Sequence, residues 1–303
     1  MPETPDLEVY VLALRARVVG EALRDLRIAH PFLLRTAVPS PAAAVGRAVL
    51  SVDRMGKRVV LTLERGIFLA VHLMIAGRLH WAEPRASLPR GRALAAFDFD
   101  NGTLILTEAG KKRRASLHVL EGVEALQALD VGGLEVIGSG LDEFVVALSR
   151  ENHTLKRALT DPAILSGIGN AYSDEILHRA RLSPLAQTRS LVSWEMAQLH
   201  EATVSVLEEW IEKLRLEVGD GFPTRVTAFR AGMAVHGRYG QPCLSCGTAV
   251  QRIRYAENEA DYCPRCQTGG RLLADRALSR LLKADWPRTI DELEVRQGTK
   301  PKS

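Results

Sequence analysis

The four cysteines of this chain stand as two identical pairs, Cys243-Leu-Ser-Cys246 and Cys263-Pro-Arg-Cys266, with residues 247–262 between them. No other feature restricts the fold as tightly. A C-x-x-C knuckle aims two thiols at one point, and two knuckles can close a tetrahedron of sulfur around one ion, for which zinc is best suited. Between the pairs Val250, Ile253 and Tyr255, then Tyr262, suit a two-stranded hairpin. Two disulfides or four unrelated thiols are the competing readings. An intracellular chain disfavours the first, and unrelated placement seldom repeats a spacing. All four positions are protein ligands and none is left for water. The ion expected is therefore one structural Zn2+ at Cys243, Cys246, Cys263 and Cys266. Such a site contributes on the order of 10–16 kcal/mol to folding its module.

Upstream, a helix is predicted over Asp6–Val18, with Thr4 or Asp6 near its cap and Pro5 in its opening turn. Leu7, Val11, Leu14 and Val18 recur at helical spacing, which marks one buried face. Short strands follow over Val49–Val52, Arg58–Leu63, Phe68–Leu73, Leu94–Phe99 and Thr103–Leu106, with a hairpin signal at Asp100-Asn101-Gly102-Thr103. Past residue 130 the pattern turns helical, over Glu143–Leu148, Thr154–Leu159, Ala171–Arg181 and Trp194–Leu216, and breaks at Gly219–Pro223. In the basic tail, Leu272–Ala284 is expected as a helix and Lys300–Ser303 as loose chain. The fold class is α+β: an N-terminal helix on a β-sandwich, a helical domain, and the cysteine module. The expected divisions are 1–130, 131–235, 236–268 and a C-terminal extension, 269–303.

Composition narrows the class of function without naming it. Apolar residues make up 46% and charged residues 25% of 303, as in a globular chain that buries a core. The longest apolar runs, such as Ile67–Ala76, are too short to span a membrane. The opening Met-Pro-Glu-Thr-Pro-Asp lacks the basic start and apolar stretch of a signal peptide. The cytoplasm, in association with the nucleoid, is the expected address, with no membrane partner. A net charge of +4 barely favours nucleic acid, but Lys111-Lys112-Arg113-Arg114 is a tight cationic run suited to phosphate.

Three separated motifs, in order, carry a resemblance. Met1-Pro2-Glu3 opens the chain. Leu155-Lys156 is followed by Gly167-Ile168-Gly169-Asn170-Ala171-Tyr172-Ser173-Asp174-Glu175, and the paired cysteines close the set. Together they resemble the formamidopyrimidine-DNA glycosylase/endonuclease VIII family over roughly residues 1–267. The resemblance implies a helix–two-turn–helix DNA-binding domain in the middle, a C-terminal zinc ribbon and a monomer acting on damaged duplex DNA. It also implies a base-excision repair glycosylase with abasic-site lyase activity by β,δ-elimination.

Residue by residue, the resemblance makes Pro2 the nucleophile once Met1 is removed. An α-amino group titrates near ~7.7–8, so a neutral fraction exists without special activation. Its attack on the sugar C1′ displaces the base and leaves an iminium that makes neighbouring sugar protons acidic. Read alone, Pro2 would only favour removal of Met1. Glu3 is implied as general acid/base at the sugar ring oxygen; its plainer role is a carboxylate at a helix N-terminus. Lys57 is implied to contact phosphate and assist the chemistry. Lys156, Gly169 and Asn170 are implied to grip phosphate, the last two at a helix start whose N–H groups suit an anion. Arg113 and Arg114 are further phosphate candidates.

The chain departs from the family at four places. Ile75, in His72–Leu79, stands where formamidopyrimidine glycosylases place a Met that wedges into the gap left by the base. Glu108–Arg114 replaces an Arg-Phe pair. Asn258 occupies the position of an Arg in the zinc hairpin, which leaves Arg252 or Arg254 as substitutes, and Arg254 is the one assigned to DNA. The stretch from Phe229 to Cys243 is short for a lid over 8-oxoguanine. Oxidised pyrimidines, ring-opened purines or abasic sites are the expected targets. The alternatives are a non-catalytic zinc protein of the same fold that binds damaged DNA, and a zinc-ribbon RNA-binding protein.

Overall fold

The computed structural model describes residues 1–109, 112–255, 258–274 and 286–296. They form two compact bodies, Met1–Gly132 with Glu208–Ala228, and Gly133–Leu207 with Phe229–Ser303. No helix among the described residues is long and apolar enough to cross a membrane.

The first body opens with α1 (Thr4–Val18). The helix starts two residues before the expected Asp6, and its cap is Glu3. Asp6, at the third helical position, accepts the Glu3 backbone N–H at 3.1 Å, half of the reciprocal arrangement that satisfies the first turn's orphan donors. Leu7, Val11, Leu14 and Val18 are all fully buried, as their spacing predicts.

Eight strands follow: β1 (Asp25–Ile28), β2 (Val49–Met55), β3 (Arg58–Leu63), β4 (Ile67–His72), β5 (Gly77–Ala82), β6 (Ala93–Phe99), β7 (Gly102–Glu108) and β8 (Ser116–Glu121). They make two antiparallel four-stranded sheets, ordered β1-β6-β7-β5 and β2-β3-β4-β8. Alternate residues of both sheets and the buried stripe of α1 share one core, including Val59, Leu61, Leu69, Val71, Leu79, Phe97, Leu104 and Leu106. This is the expected sandwich. Val60, Phe68, Ala70 and Leu120 point the other way and pack with Ala125 and Leu126 of α2 (Val123–Gln127). The three unexpected strands, β1, β5 and β8, are short and carry polar or charged residues on one face.

At the β6–β7 turn, glycine is required by packing. A Cβ on Gly102 would lie 2.3 Å from the Trp81 ring. Residues 219–228 also close onto this body: the Phe222 ring lies 5.7 Å from that of Tyr10. Val226 accepts the Arg78 Nε–H at 2.9 Å.

The second body holds α3 (Leu141–Ser149), α4 (Leu155–Thr160), α5 (Asn170–Arg179) and the start of α6 (Ser193–Val218). All four lie within two residues of the expected bounds. The hairpin β9 (Gln251–Tyr255) and β10 (Asn258–Tyr262) joins the knuckles, and α7 (Pro264–Thr268) grows from the second. The extension folds back on this module. Leu272 donates its N–H to Arg288 at 2.8 Å, Ile290 returns one to Gly270 at 2.8 Å, and α8 (Ile290–Arg296) follows. Leu272 is therefore extended where a helix was expected. Residues 275–284 of that helix, Lys111, and Lys300–Ser303 lie outside the described residues.

Candidate functional site

Two places in the molecule gather chemistry. The first is the corner where the chain begins. Pro2 is buried and Glu3 is 2% exposed at the start of α1. Burial pushes the amine of Met1, which still precedes Pro2 here, below its ordinary value. Glu3 and Asp6 pull it up, and Arg78 and Lys57 press it down, so these four charges surround the amine. Lys57 sits in the tight β2–β3 turn. Burial also lowers its ammonium, and the charge of Glu3 only partly offsets this. Pro2, Glu3 and Lys57, which the resemblance implied, are thus brought together. Asp6 and Arg78 join them unforeseen. Asp6 carried a signal, a carboxylate three residues after the cap, whereas Arg78 had none.

Ile75 is presented on the β4–β5 turn of the same body and is 59% exposed. Several constraints thrust it outward. Met74 takes a φ of +52° and donates its N–H to His72 Nδ1 at 3.0 Å. Gly77 closes the turn onto the Leu73 carbonyl at 2.9 Å, where a Cβ would lie only 2.2 Å from that oxygen. Arg78 Nη1 donates to the Ile75 carbonyl at 3.1 Å. In the basic segment, buried Glu108 accepts the N–H groups of Arg114 (2.9 Å) and Ala115 (3.1 Å). Arg114 is exposed, whereas Arg113 is half-buried with Nη2 on the Gly91 carbonyl at 2.5 Å.

The second place is the junction of α5 with the cysteine module. Here the expectation for Lys156 needs correction. It is 2% exposed, and its Nζ donates to the Asn170 carbonyl (2.7 Å), Ser173 Oγ (2.8 Å) and Asp174 Oδ1 (2.6 Å). An ammonium has three protons, so this one is spent. It braces the turn and does not reach out to a phosphate. Gly169 is the N-cap of α5 and Asn170 its first residue. Asn170 is half-buried, and the first N–H groups of the helix are at that end.

Asp174 also takes His236 Nδ1 at 2.7 Å. Burial, the strongest single influence, lowers His236, but the hydrogen bond and charge of Asp174 outweigh it and the net shift is upward. Glu175 accepts three backbone N–H groups, from Ala234 (2.7 Å), Val235 (2.9 Å) and His236 (2.9 Å). Arg252 pairs with Asp261 at 2.7 Å and with Glu259 at 3.2 Å. Asp174, His236 and Asp261 could geometrically hold a cation, yet Lys156 and Arg252 already compensate the two carboxylates. Arg252 and Arg254 share one face of β9. Arg252 is tied down, while Arg254 is 72% exposed in its side chain with Glu259 at 3.9 Å. The Asn258 side chain lies outside the described residues.

The four thiols fit a zinc ion. Cys243 and Cys266 sulfurs are 3.9 Å apart, those of Cys246 and Cys263 are 3.4 Å apart, and all four lie within 4.8 Å of one another. Tetrahedral thiolates at a Zn–S distance of about 2.3 Å stand about 3.8 Å apart. The separations exclude disulfides. Burial pushes Cys263 up and Cys266 up to about 12. Burial acts the same way on Cys246, but hydrogen bonds from Thr248 bring it down to about 7. Four thiolates in this place need a cation to hold them.

A sandwich led by a buried N-terminal corner, a helix with a braced Gly-Asn start and a four-cysteine ribbon define a class of DNA-processing fold, and the comparisons agree. The model of the formamidopyrimidine-DNA glycosylase N-terminal domain matches residues 1–114, that of the formamidopyrimidine-DNA glycosylase H2TH domain residues 138–218, and that of the zinc finger found in FPG and IleRS residues 240–269. The chain is 35% identical to the formamidopyrimidine-DNA glycosylase of Thermus thermophilus over 89% of its own length and 100% of the relative's. The crystal structure of the Thermus thermophilus MutM (Fpg) protein superimposes with a TM-score of 0.73 at 30% identity, covering 88% of this chain and 98% of that one. The complex of Lactococcus lactis Fpg with abasic-site DNA gives a TM-score of 0.77 at 23% identity, covering 88% and 99%, a likeness of fold. The protein belongs to the formamidopyrimidine-DNA glycosylase family.

Proposed function

We propose that this protein is a base-excision repair DNA glycosylase with abasic-site lyase activity, and that the amine of Pro2, freed by removal of Met1, is its nucleophile. The observation that carries the reading is the burial of Pro2 and Glu3 at the start of the chain, where the preceding Met1 amine already feels the charges of Glu3, Arg78, Asp6 and Lys57. Burial disfavours an ammonium, so a Pro2 amine freed at this buried position is expected to hold its lone pair nearer neutral pH than an exposed terminus does. That lone pair forms the bond to C1′ as the bond from C1′ to the base breaks and its electrons leave with the base. Glu3 delivers a proton to the ring oxygen and the sugar opens as an iminium. The iminium draws electrons from the C2′–H bond, that proton leaves, and the 3′ phosphate departs. A second elimination releases the 5′ phosphate. Lys57 meets a phosphate beside the reacting sugar.

Family membership supports damaged duplex DNA as the substrate, as does the solved relative from Lactococcus lactis in complex with abasic-site DNA. In this reading Gly169, Asn170, Arg113, Arg114 and Arg254 contact the backbone, Ile75 fills the gap left by the flipped nucleotide, and Cys243, Cys246, Cys263 and Cys266 hold one structural Zn2+. The ion supplies a fold for the ribbon and no chemistry at the sugar. Lys156 serves by bracing the Asn170 turn.

Borohydride reduction of the Met1-processed protein on abasic-site duplex tests the proposal. A covalent adduct is expected, reduced in Pro2→Gly and absent when the terminus is chemically blocked. An adduct that survives blocking would place the nucleophile elsewhere. No adduct from folded protein would leave a damage-binding protein without turnover.

A further inference from the structure

Helix α5 does more than begin at the Gly-Asn turn. Asp174 and His178 lie on it one turn apart, at i and i+4 on one face of the helix, with Glu175 on the adjoining side. Asp174 and Glu175 hold the chain at 234–236, seven residues before the first knuckle. His178 goes further and reaches a metal-binding sulfur. It is 8% exposed, and its Nε2 lies 3.3 Å from Sγ of Cys243, itself 3% exposed. The second knuckle is fastened to the same helix end through Gln267. Its amide donates to the Leu182 carbonyl at 2.9 Å and its oxygen accepts the Cys263 N–H at 2.8 Å.

The direction of the His178 bond follows from the chemistry of its partner. A thiolate bound to a metal has no proton to give and can only accept. The proton between the two atoms therefore belongs to the imidazole, on Nε2. Four thiolates on one divalent cation leave two negative charges in a buried place. Each N–H aimed at a sulfur takes up part of that charge and fixes where the sulfur points.

We propose that His178 is a positioning residue of the zinc centre: its Nε2–H donates to the Cys243 thiolate, so that the helix bearing the Gly-Asn turn also forms part of the metal's outer shell. The proposal rests on the reading of the four cysteines as a zinc site and extends it to a residue outside the ribbon. In consequence, the ribbon keeps its metal less firmly when α5 loses one side-chain N–H, even with all four cysteines in place.

The test measures metal retention on the full-length protein, without reference to activity on DNA. Zinc release to the chromogenic chelator 4-(2-pyridylazo)resorcinol is followed at fixed pH for the wild type, His178→Gln and His178→Phe. The phenylalanine fills similar space without a donor, and the amide restores one. Outer-shell partners of this kind are worth about 10- to 100-fold in metal affinity, so His178→Phe should release zinc at least about tenfold faster and His178→Gln within about threefold of wild type. In the cobalt-substituted protein, the thiolate charge-transfer band should shift in His178→Phe and return in His178→Gln. A packing role alone would not produce that recovery. Should His178→Phe not fold, the smaller apolar His178→Met takes its place. Equal release from wild type and the apolar variant would overturn the proposal, as would release from His178→Gln as fast as from His178→Phe. Wild-type protein that binds no zinc would overturn the metal reading itself, a result visible before any variant is made.

Discussion

Two lysines withdrawn from water behave oppositely, and the contrast separates the two regions that gather chemistry. At the N-terminal corner, burial drives Lys57 below its ordinary value and the nearby Glu3 only partly restores it. At the α5 junction, Lys156 is buried more deeply but meets a carbonyl, a hydroxyl and a carboxylate within 2.8 Å. The corner holds charge under tension, as groups that must change protonation or meet a substrate require. The junction pairs Lys156 with Asp174 and gives the buried Glu175 carboxylate three backbone N–H donors, although burial still raises Glu175. Burial of a lysine therefore says little about its task; the set of partners decides.

The largest effect expected from this contrast comes from removing each ammonium in turn. Lys156→Met leaves Asp174 with only His236 and should cost about 3 kcal/mol or more, a fall in Tm of about 10 °C. Lys57→Met should leave Tm within about 2 °C, because a half-buried cation held below its usual value adds little to stability. It should instead slow covalent trapping about tenfold, the worth of one charged hydrogen bond. Thermal melts and trapping rates on the same preparations check both. Equal destabilisation by the two substitutions would erase the distinction.

That distinction was half legible in the sequence. Pro2, Glu3 and Lys57 were singled out through the family resemblance, and the four cysteines from spacing alone, because a repeated C-x-x-C has few physical explanations. The helical face of α1 was visible through its periodicity, and β3, β4, β6 and β7 as short apolar runs bounded by turn residues. Lys156 was misjudged because its partners, Ser173 and Asp174, lie a helix away. No local pattern reports that an ammonium has found three acceptors. His178 left no signal at all, since its partner is 65 residues distant. The strands β1, β5 and β8 were missed because their pairing within each sheet, more than their own composition, stabilises them. Sequence spacing thus exposed sites built from neighbours along the chain and concealed those built across it.

A carboxylate pair sharpens the comparison at intermediate size. Glu175→Gln keeps an oxygen for Val235 and His236 but turns an N–H2 toward the Ala234 N–H now held at 2.7 Å. One buried donor loses its acceptor, which costs about 1–3 kcal/mol and about 5 °C of Tm. Glu3→Gln at the corner should cost less in stability and much more in rate. On the proposed role of Glu3 as general acid, its loss should slow trapping about 100-fold or more. Melts that shift more for Glu3→Gln than for Glu175→Gln would reverse the assignment of strain to the corner and satisfaction to the junction.

The smallest effect, and the one that tests the sign of the contrast, is the pH dependence of one histidine from each region. Burial first, then the charges of Arg58, Lys57 and His118, hold His72 at about 4. Its Nδ1 must stay unprotonated to accept the Met74 N–H. Between pH 6.5 and about 4 the unfolded chain takes up a proton that the folded protein refuses, so the contribution of His72 is complete above 6.5 and lost as pH falls. His236 at the junction is raised by Asp174, so its contribution is complete below 6.5 and lost as pH rises through the folded value. His72→Gln should therefore flatten the acid limb of the Tm profile between pH 7 and 5 by about 1 kcal/mol, discounted for partial exposure. His236→Gln should flatten the neutral-to-alkaline limb instead. His80 and His178, both lowered as His72 is, titrate alike in both variants and cancel in the comparison, and His118, whose charge acts on His72, is removed from all the proteins compared by a His118→Gln background. If both substitutions altered the same limb, the two regions would share one electrostatic character, and the corner would lose its claim to be the place where charge is kept ready for reaction.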